Sequence, residues 1–231
     1  AAAFCGHPER ALSVVGITGT NGKTTTAFMI RNILSEAGVR TGIVGTLGAA
    51  YKRVSVAQSL TTPDPLTLFP LLADMAKAGV QTVVTEVSAH ALALKKEAPV
   101  VYDVAVFTNL TRDHLDFFGD MARYGAAKRM LFTPEKCRYA VLNADDPFSR
   151  TLAGVPHIAY GLETPADAFA LVRSDTLHGC RAIFNIDDDL TEISIPMTGR
   201  HNLYNALAAA CAARRLGADG NAVARGIART K

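Results

Sequence analysis

The chain has 231 residues, 49% hydrophobic and 19% charged, which is enough apolar material for one sizeable α/β domain and excludes wholesale disorder. Its formal net charge of +3 is small and dispersed, which argues against a nucleic-acid partner. Cys5, Cys137, Cys180 and Cys211 form no CxxC pair and accompany no His cluster at zinc spacing, a usage that fits a reducing cytosol. The opening AAAFCGHPER lacks a basic leader region, and the Ala-rich run 206–213 is far shorter than the roughly 20 residues a bilayer crossing needs. A soluble cytoplasmic protein with no membrane partner is the expectation.

In chain order, residues 12–18 form a short apolar, β-rich run that ends in Gly19-Thr20-Asn21-Gly22-Lys23-Thr24-Thr25. A helical pattern with Phe28, Ile30, Ile33 and Leu34 apolar follows, closed by Gly38. Further β-type runs lie at 42–46, 81–86, 103–108 and 138–143, with helical stretches at 65–77 and 121–132 between them. Strands alternating with helices predict a mostly parallel sheet flanked by helices. After Pro156 the texture changes. Residues 167–172, 179–186 and 191–196 read as three short strands, so a small antiparallel β region is expected at about 160–197. The run Asp187-Asp188-Asp189 reads as a solvated hairpin turn, because a calcium loop needs a longer ligand pattern with an internal Gly. Gly199 then precedes helical segments at 202–216 and 220–230.

The residues 19–25 carry the clearest chemistry. Glycines between a strand and a helix let backbone N–H groups turn around phosphate oxygens, and the helix N-terminus adds partial positive charge. Lys23 is placed to approach β- and γ-phosphates, and the Thr24 hydroxyl to reach a magnesium ion. The spacing departs from G-x-x-x-x-G-K-[ST], since five residues separate Gly16 from Gly22 and two separate Gly19 from it. Glu86 ends an apolar strand at the sheet edge where that loop should emerge, a position suited to a hard cation.

With these blocks in view, Thr18 to Thr25 resembles the phosphate loop of the Mur ligases of peptidoglycan synthesis. Leu60-Thr61-Thr62-Pro63-Asp64-Pro65, Glu86-Val87-Ser88-Ala89-His90-Ala91-Leu92 and the block Phe107 to Asp116 narrow the likeness to the MurE type, which adds the third amino acid. Tyr124-Gly125-Ala126-Ala127-Lys128, Asn143-Ala144-Asp145-Asp146 and the block Gly199 to Asn205 complete it. The resemblance implies an ATP- and Mg²⁺-dependent ligase. Such an enzyme phosphorylates the carboxylate of UDP-N-acetylmuramoyl-L-alanyl-D-glutamate and lets a diamino acid, meso-diaminopimelate or L-lysine, displace phosphate.

By the same resemblance Lys23, Glu86, His114 and Lys128 are the catalytic set, and Thr24, Glu86, His114 and Lys128 serve the metal. The lysine matching Lys128 carries CO₂ as a carbamate in that family, and a desolvated lysine with a lowered pKa is chemically suited to do so. Gly19, Thr20, Asn21, Gly22, Lys23, Thr24, Thr25, Asn109 and Asn202 match nucleotide-binding positions. Asn202 also reads as the N-cap of its helix. Asn109, Arg112 and Asp145 are nucleotide-pocket or structural positions.

Thr61, Thr62 and Ser88 match positions that hold the UDP-muramoyl-peptide. Leu94 stands where some MurE enzymes have glutamine, and Lys96 near an arginine position, where it would act as a point charge. The likeness spans residues 1–231 as a central ATPase domain, without the N-terminal UDP-binding and C-terminal domains of the family. The chain is therefore expected to bind Mg-nucleotide weakly and not to ligate unaided. A folylpolyglutamate synthase is disfavoured because its loop reads Gly-Lys-Gly-Ser, against Gly22-Lys23-Thr24-Thr25 here. An isolated nucleotide-binding module without catalysis is the other alternative.

Overall fold

Alternate side chains of a strand go to opposite faces, and here both faces of the central strands are covered. In β1 (Ser13–Thr18), Val15 and Ile17 pack into one core while Val14 packs into another; Val84 and Val83 of β5 (Thr82–Glu86) divide in the same way. In β6 (Val104–Phe107), Val104 and Val106 join the first core, and Ala105 and Phe107 the second. The computed structural model describes residues 1–230; residue 231, the last position of the expected domain, lies outside them.

Among the described residues, eleven strands form one sheet in the order β11-β10-β9-β8-β7-β6-β1-β5-β2-β3-β4. The seven strands from β9 to β2 run parallel, including β2 (Thr41–Gly45), β7 (Ala140–Asn143) and β8 (His157–Gly161). Each end of the sheet is antiparallel. On one side β3 (Gly48–Tyr51) and β4 (Val54–Val56) follow β2, and on the other β10 (Gly179–Ile186) and β11 (Asp189–Ile195) follow β9 (Ala168–Thr176). The antiparallel region expected at 160–197 thus exists and continues the main sheet through the β8–β9 pairing. Its Asp187-Asp188 turn has both residues at positive φ, 54° and 61°, the twist a two-residue hairpin requires.

Helices α1 (Lys23–Glu36), α6 (Arg200–Arg215) and α7 (Gly220–Ala228) cover one face. Helix α2 (Pro65–Lys77) covers the other, and the short α3 (Ala89–Ala93), α4 (Leu115–Phe118) and α5 (Met121–Arg129) lie at one end of it. Helices α1 and α7 pack backbone to backbone at Gly226, where a Cβ would lie 2.4 Å from Ile33 Cα. Gly226→Ala is therefore expected to cost about 2 kcal/mol by forcing the two helices apart, read as a lower urea midpoint at unchanged slope.

The strand order also locates a site. From β1 the chain crosses to β2 and returns through β5, then continues on the opposite side with β6. The loops leaving β1 and β6 diverge at this switch point, and the crevice beyond the strand ends is where open α/β sheets bind ligands.

Candidate functional site

Residues 19–22 leave β1 at that crevice, and α1 begins at Lys23. The helix has no side-chain cap, its cap position being Gly22 at φ 85°, and no acid occupies its first turn. Its free N–H groups and partial positive charge are thus left for an outside anion. Gly19 lies against the β6 side of the crevice: a Cβ there would sit 1.9 Å from Thr108 Oγ1. Thr108 Oγ1 donates to the Asn21 carbonyl at 2.6 Å, and Asn109 Oδ1 accepts from Asn21 N–H at 2.9 Å, so the loop is held from outside.

Lys23 Nζ donates to the Gly19 and Thr20 carbonyls, both at 2.9 Å. Burial lowers its pKa, opposed by the charges of Glu86 and Asp113. Glu86, 1% exposed, is the acceptor around which the strand ends are organised. Its Oε2 accepts from Thr24 Oγ1 at 2.9 Å and Thr46 Oγ1 at 3.1 Å, and its Oε1 accepts from Thr46 N–H at 2.9 Å.

The expected substrate residues adjoin this carboxylate. Thr61 and Thr46 hydroxyls lie 3.0 Å apart, and Thr62 Oγ1 donates to the Glu86 carbonyl at 2.9 Å while accepting from Ser88 N–H at 3.0 Å. Ser88 caps α3 through Ala91 N–H at 3.1 Å. Lys96 is held apart by an ion pair with Asp64 at 2.6 Å, at the start of α2.

On the other flank, His114 sits at φ 52° with its side chain 46% exposed. Its ring lies 4.8 Å from that of His90 and 5.9 Å from that of Tyr124. Tyr124 Oη reaches Thr20 Oγ1 at 3.3 Å, which ties this flank to the loop. Lys128 is 1% exposed on α5, with Nζ 4.4 Å from the Tyr124 ring centroid. Burial brings its pKa down to about 7, aided by the Lys23 charge and opposed by Asp113. The Lys23 loop and Glu86 thus share one cavity, which His114 and Lys128 do not line; both adjoin Tyr124, which reaches the loop through Thr20.

Two cavities meet at the loop. One of about 330 Å³ is lined by Thr20 to Thr25, Thr46, Thr61 and Glu86. The other, of about 860 Å³, runs from Asn21, Gly22 and Thr25 past Asn109 to Asn143, Asp145, Tyr160, His201, Asn202, Tyr204 and Asn205. One expectation is corrected here: Gly199, at φ 94°, occupies the cap position of α6, and Asn202 lies inside the helix. Its amide instead reaches back to the Thr198 carbonyl at 2.8 Å, and its Oδ1 accepts from Asn205 Nδ2 at 3.3 Å.

The residues present fit a magnesium ion. The buried carboxylate and the Thr24 hydroxyl are hard oxygen donors, and the described residues contain no cluster of three or more His, Cys, Asp or Glu that could enclose a metal by themselves. One or two protein oxygens completed by phosphate and water is how Mg²⁺ is commonly held. The sequence assigned no role to Thr46, Thr108 or Tyr124, although the last two lie inside the blocks that carry the resemblance. Thr46 directly follows β2 at the same edge as Glu86, a signal that was available; the Thr108 and Tyr124 contacts span 87 and 104 residues, and nothing local marks them.

An anion-binding loop at the switch point of a parallel sheet, beside a buried carboxylate, defines a phosphate-loop α/β domain. The family model described as the Mur ligase middle domain matches residues 17–213, and the chain belongs to this family. It is 43% identical over 220 residues to the UDP-N-acetylmuramoyl-L-alanyl-D-glutamate–2,6-diaminopimelate ligase of Xanthomonas campestris pv. campestris (strain 8004), covering 92% of this chain and 44% of that protein. The enzyme of the same name from Solibacter usitatus (strain Ellin6076) is 42% identical over 239 residues, covering 99% and 47%. The chain thus spans about half the length of the curated relatives it matches. A solved ligase of that name superposes with a TM-score of 0.87 at 28% identity, over 96% of this chain and 48% of the other. A Mycobacterium tuberculosis folylpolyglutamate synthase complexed with ADP and AMPPCP shares the fold, with a TM-score of 0.80 at 22% identity, over 100% of this chain and 61% of that one. No helix among the described residues is long and apolar enough to cross a membrane.

Proposed function

We propose that this chain is the nucleotide-binding, catalytic middle domain of an ATP- and Mg²⁺-dependent ligase. In this reading the enzyme activates the free carboxylate of UDP-N-acetylmuramoyl-L-alanyl-D-glutamate as an acyl phosphate and joins it to a diamino acid, 2,6-diaminopimelate being the one in the relatives' names. One observation carries the reading: the phosphate loop, the Glu86 carboxylate and Thr61 line a single cavity, and a second one of about 860 Å³, roomy enough for a nucleoside, meets it at the loop.

The α1 N-terminus and Lys23 hold the phosphates, and Lys23 follows charge as it moves to the leaving oxygen. Thr24 and Glu86 would hold a magnesium ion, and His114 and Lys128, the latter as a carbamate, would serve a second one. Bound magnesium would neutralise charge between the phosphates and the acceptor carboxylate. Asn109 and Asn202 flank the nucleotide. Thr61, Thr62 and Ser88 orient the muramoyl-peptide so that its carboxylate meets the terminal phosphate in line. Lys96, held by Asp64, draws the substrate's acidic groups toward this side. Binding the uridine end and closing over ATP are assigned to the lengths of the relatives that this chain does not span.

Calorimetry with ATP, with and without Mg²⁺, combined with a tripeptide-formation assay tests the reading. Weak Mg²⁺-dependent ATP binding without ligation is expected, and Glu86→Gln is expected to remove about tenfold of the Mg²⁺-dependent part, as loss of one charged oxygen ligand. Binding indifferent to Mg²⁺ and to Glu86→Gln would overturn the metal assignment. Efficient tripeptide formation by this polypeptide alone would overturn the division of labour.

A further inference from the structure

One carboxylate in the lining of the larger cavity is already engaged by four hydrogen bonds from the protein itself. Asp145 follows β7, and its Oδ2 accepts from Leu162 N–H at 2.7 Å, Glu163 N–H at 3.1 Å and Tyr204 Oη at 2.7 Å. Its Oδ1 accepts from Thr164 N–H at 2.7 Å. Four donors from two separate elements, the β8–β9 loop and α6, thereby converge on one side chain. Burial alone would raise the Asp145 pKa, yet the Leu162 and Tyr204 bonds outweigh it and hold the carboxyl well below the usual carboxylate range.

We propose that Asp145 is a positioning residue for the base-bearing part of the nucleotide: it ties Tyr204, which lines the cavity, to the 162–164 turn behind it and acts on the ligand through that side chain. The inference rests on the nucleotide reading of the site. Tyr204 lies on α6 between Asn202 and Asn205, all three lining the cavity, so anchoring its hydroxyl sets the rotation of that helix face toward the ligand. Asp145 is also linked to the phosphate loop, but only through its backbone. Its N–H donates to Asn143 Oδ1 at 3.1 Å, Asn143 Nδ2 donates to the Thr108 carbonyl at 2.7 Å, and Thr108 in turn holds Asn21. Changing the side chain therefore leaves the loop's own support in place and alters only the cavity wall.

The separation yields a test with two ligands. Asp145→Asn keeps the shape while placing an amide where four donors converge, and Tyr204→Phe removes only the hydroxyl. Titration calorimetry of each variant with ATP and with inorganic tripolyphosphate, both with Mg²⁺, separates the wall from the loop, and circular dichroism with thermal melts checks the fold. The expected result is an ATP affinity about tenfold lower in Asp145→Asn with tripolyphosphate affinity unchanged, a smaller loss in Tyr204→Phe, and no further loss in the double variant, since the two groups act as one unit. Unchanged ATP affinity in both variants overturns the inference, as does an equal loss for both ligands, which would mark a general structural defect. Should the unsubstituted chain bind ATP no more tightly than tripolyphosphate, the nucleotide reading of the cavity fails first, and this proposal with it.

Discussion

Lys23→Met is expected to lower the affinity of the chain for Mg-ATP about 100-fold while leaving the fold as stable as before, or more so. Lys23 Nζ donates to the Gly19 and Thr20 carbonyls, at 2.9 Å from each, beside the cavity that Glu86 lines. Phosphate oxygens would replace those neutral acceptors with charged ones in a partly dry site. A charge-assisted hydrogen bond contributes about 1.5–3 kcal/mol, and each 1.4 kcal/mol is about tenfold in affinity. Two such bonds, weakened by the carbonyl contacts given up, come to about 3 kcal/mol. The stability side has the opposite sign. Burial already depresses the Lys23 pKa, so its ammonium is held at a cost that the methionine does not carry. Calorimetry for ATP and urea denaturation of the same preparations check both halves. An affinity indistinguishable from the unsubstituted chain would remove Lys23 from the phosphate site.

The contrast between this loop and the rest of the site explains what the sequence discloses. The loop is legible because its chemistry is contiguous: residues 19–25 carry the turn, the charge and the hydroxyl together, and the β1 and α1 patterns on either side fix its setting. The parallel core is legible for a similar reason, since strands buried on both faces read as unbroken apolar runs. Strand β4 is not legible, because Val54, Ser55 and Val56 are all exposed and three residues carry no period. Strand β8 escapes as well, hidden in the change of texture after Pro156.

At the site, what eludes the sequence depends on distance along the chain. The Lys96–Asp64 pair and the Tyr124–Thr20 contact join residues on different elements, and no local pattern encodes them. The α6 cap shows a subtler failure. Asn202 has the chemistry of a cap and does satisfy a backbone carbonyl, but glycine at position 199 can adopt φ 94°, so the helix starts earlier and Asn202 turns its amide back from inside.

Lys128 is the strongest case of a residue whose environment only the structure reveals, and its removal is expected to stabilise the metal-free protein. On sequence alone a lysine on a short polar helix reads as a solvated charge; folded, it is 1% exposed with its pKa lowered from 10.5 to about 7, mainly by burial and further by the Lys23 charge. The unfolded chain then binds the proton more tightly than the folded one. Between about pH 7 and 10.5 the unfolded state carries more protons, so stability rises with pH through that window and levels off on both sides. The full penalty is present below pH 7. Each tenfold change in proton affinity is about 1.4 kcal/mol, which sets a ceiling of roughly 5 kcal/mol; local water and relaxation reduce it to about 3 kcal/mol. Lys128→Met is therefore expected to be about 3 kcal/mol more stable at pH 6, in chelator and CO₂-free buffer, with the gap closing by pH 10. A gap of the same size at both pH values would show that packing, and not a buried charge, separates the two proteins. The same lowered pKa leaves a large share of the amine neutral near pH 7, where it can attack CO₂ and release a proton to give the carbamate anion. Bicarbonate is accordingly expected to add the mass of one CO₂ to the native protein and to raise its stability toward that of the variant, whereas Lys128→Met gains neither mass nor stability from it.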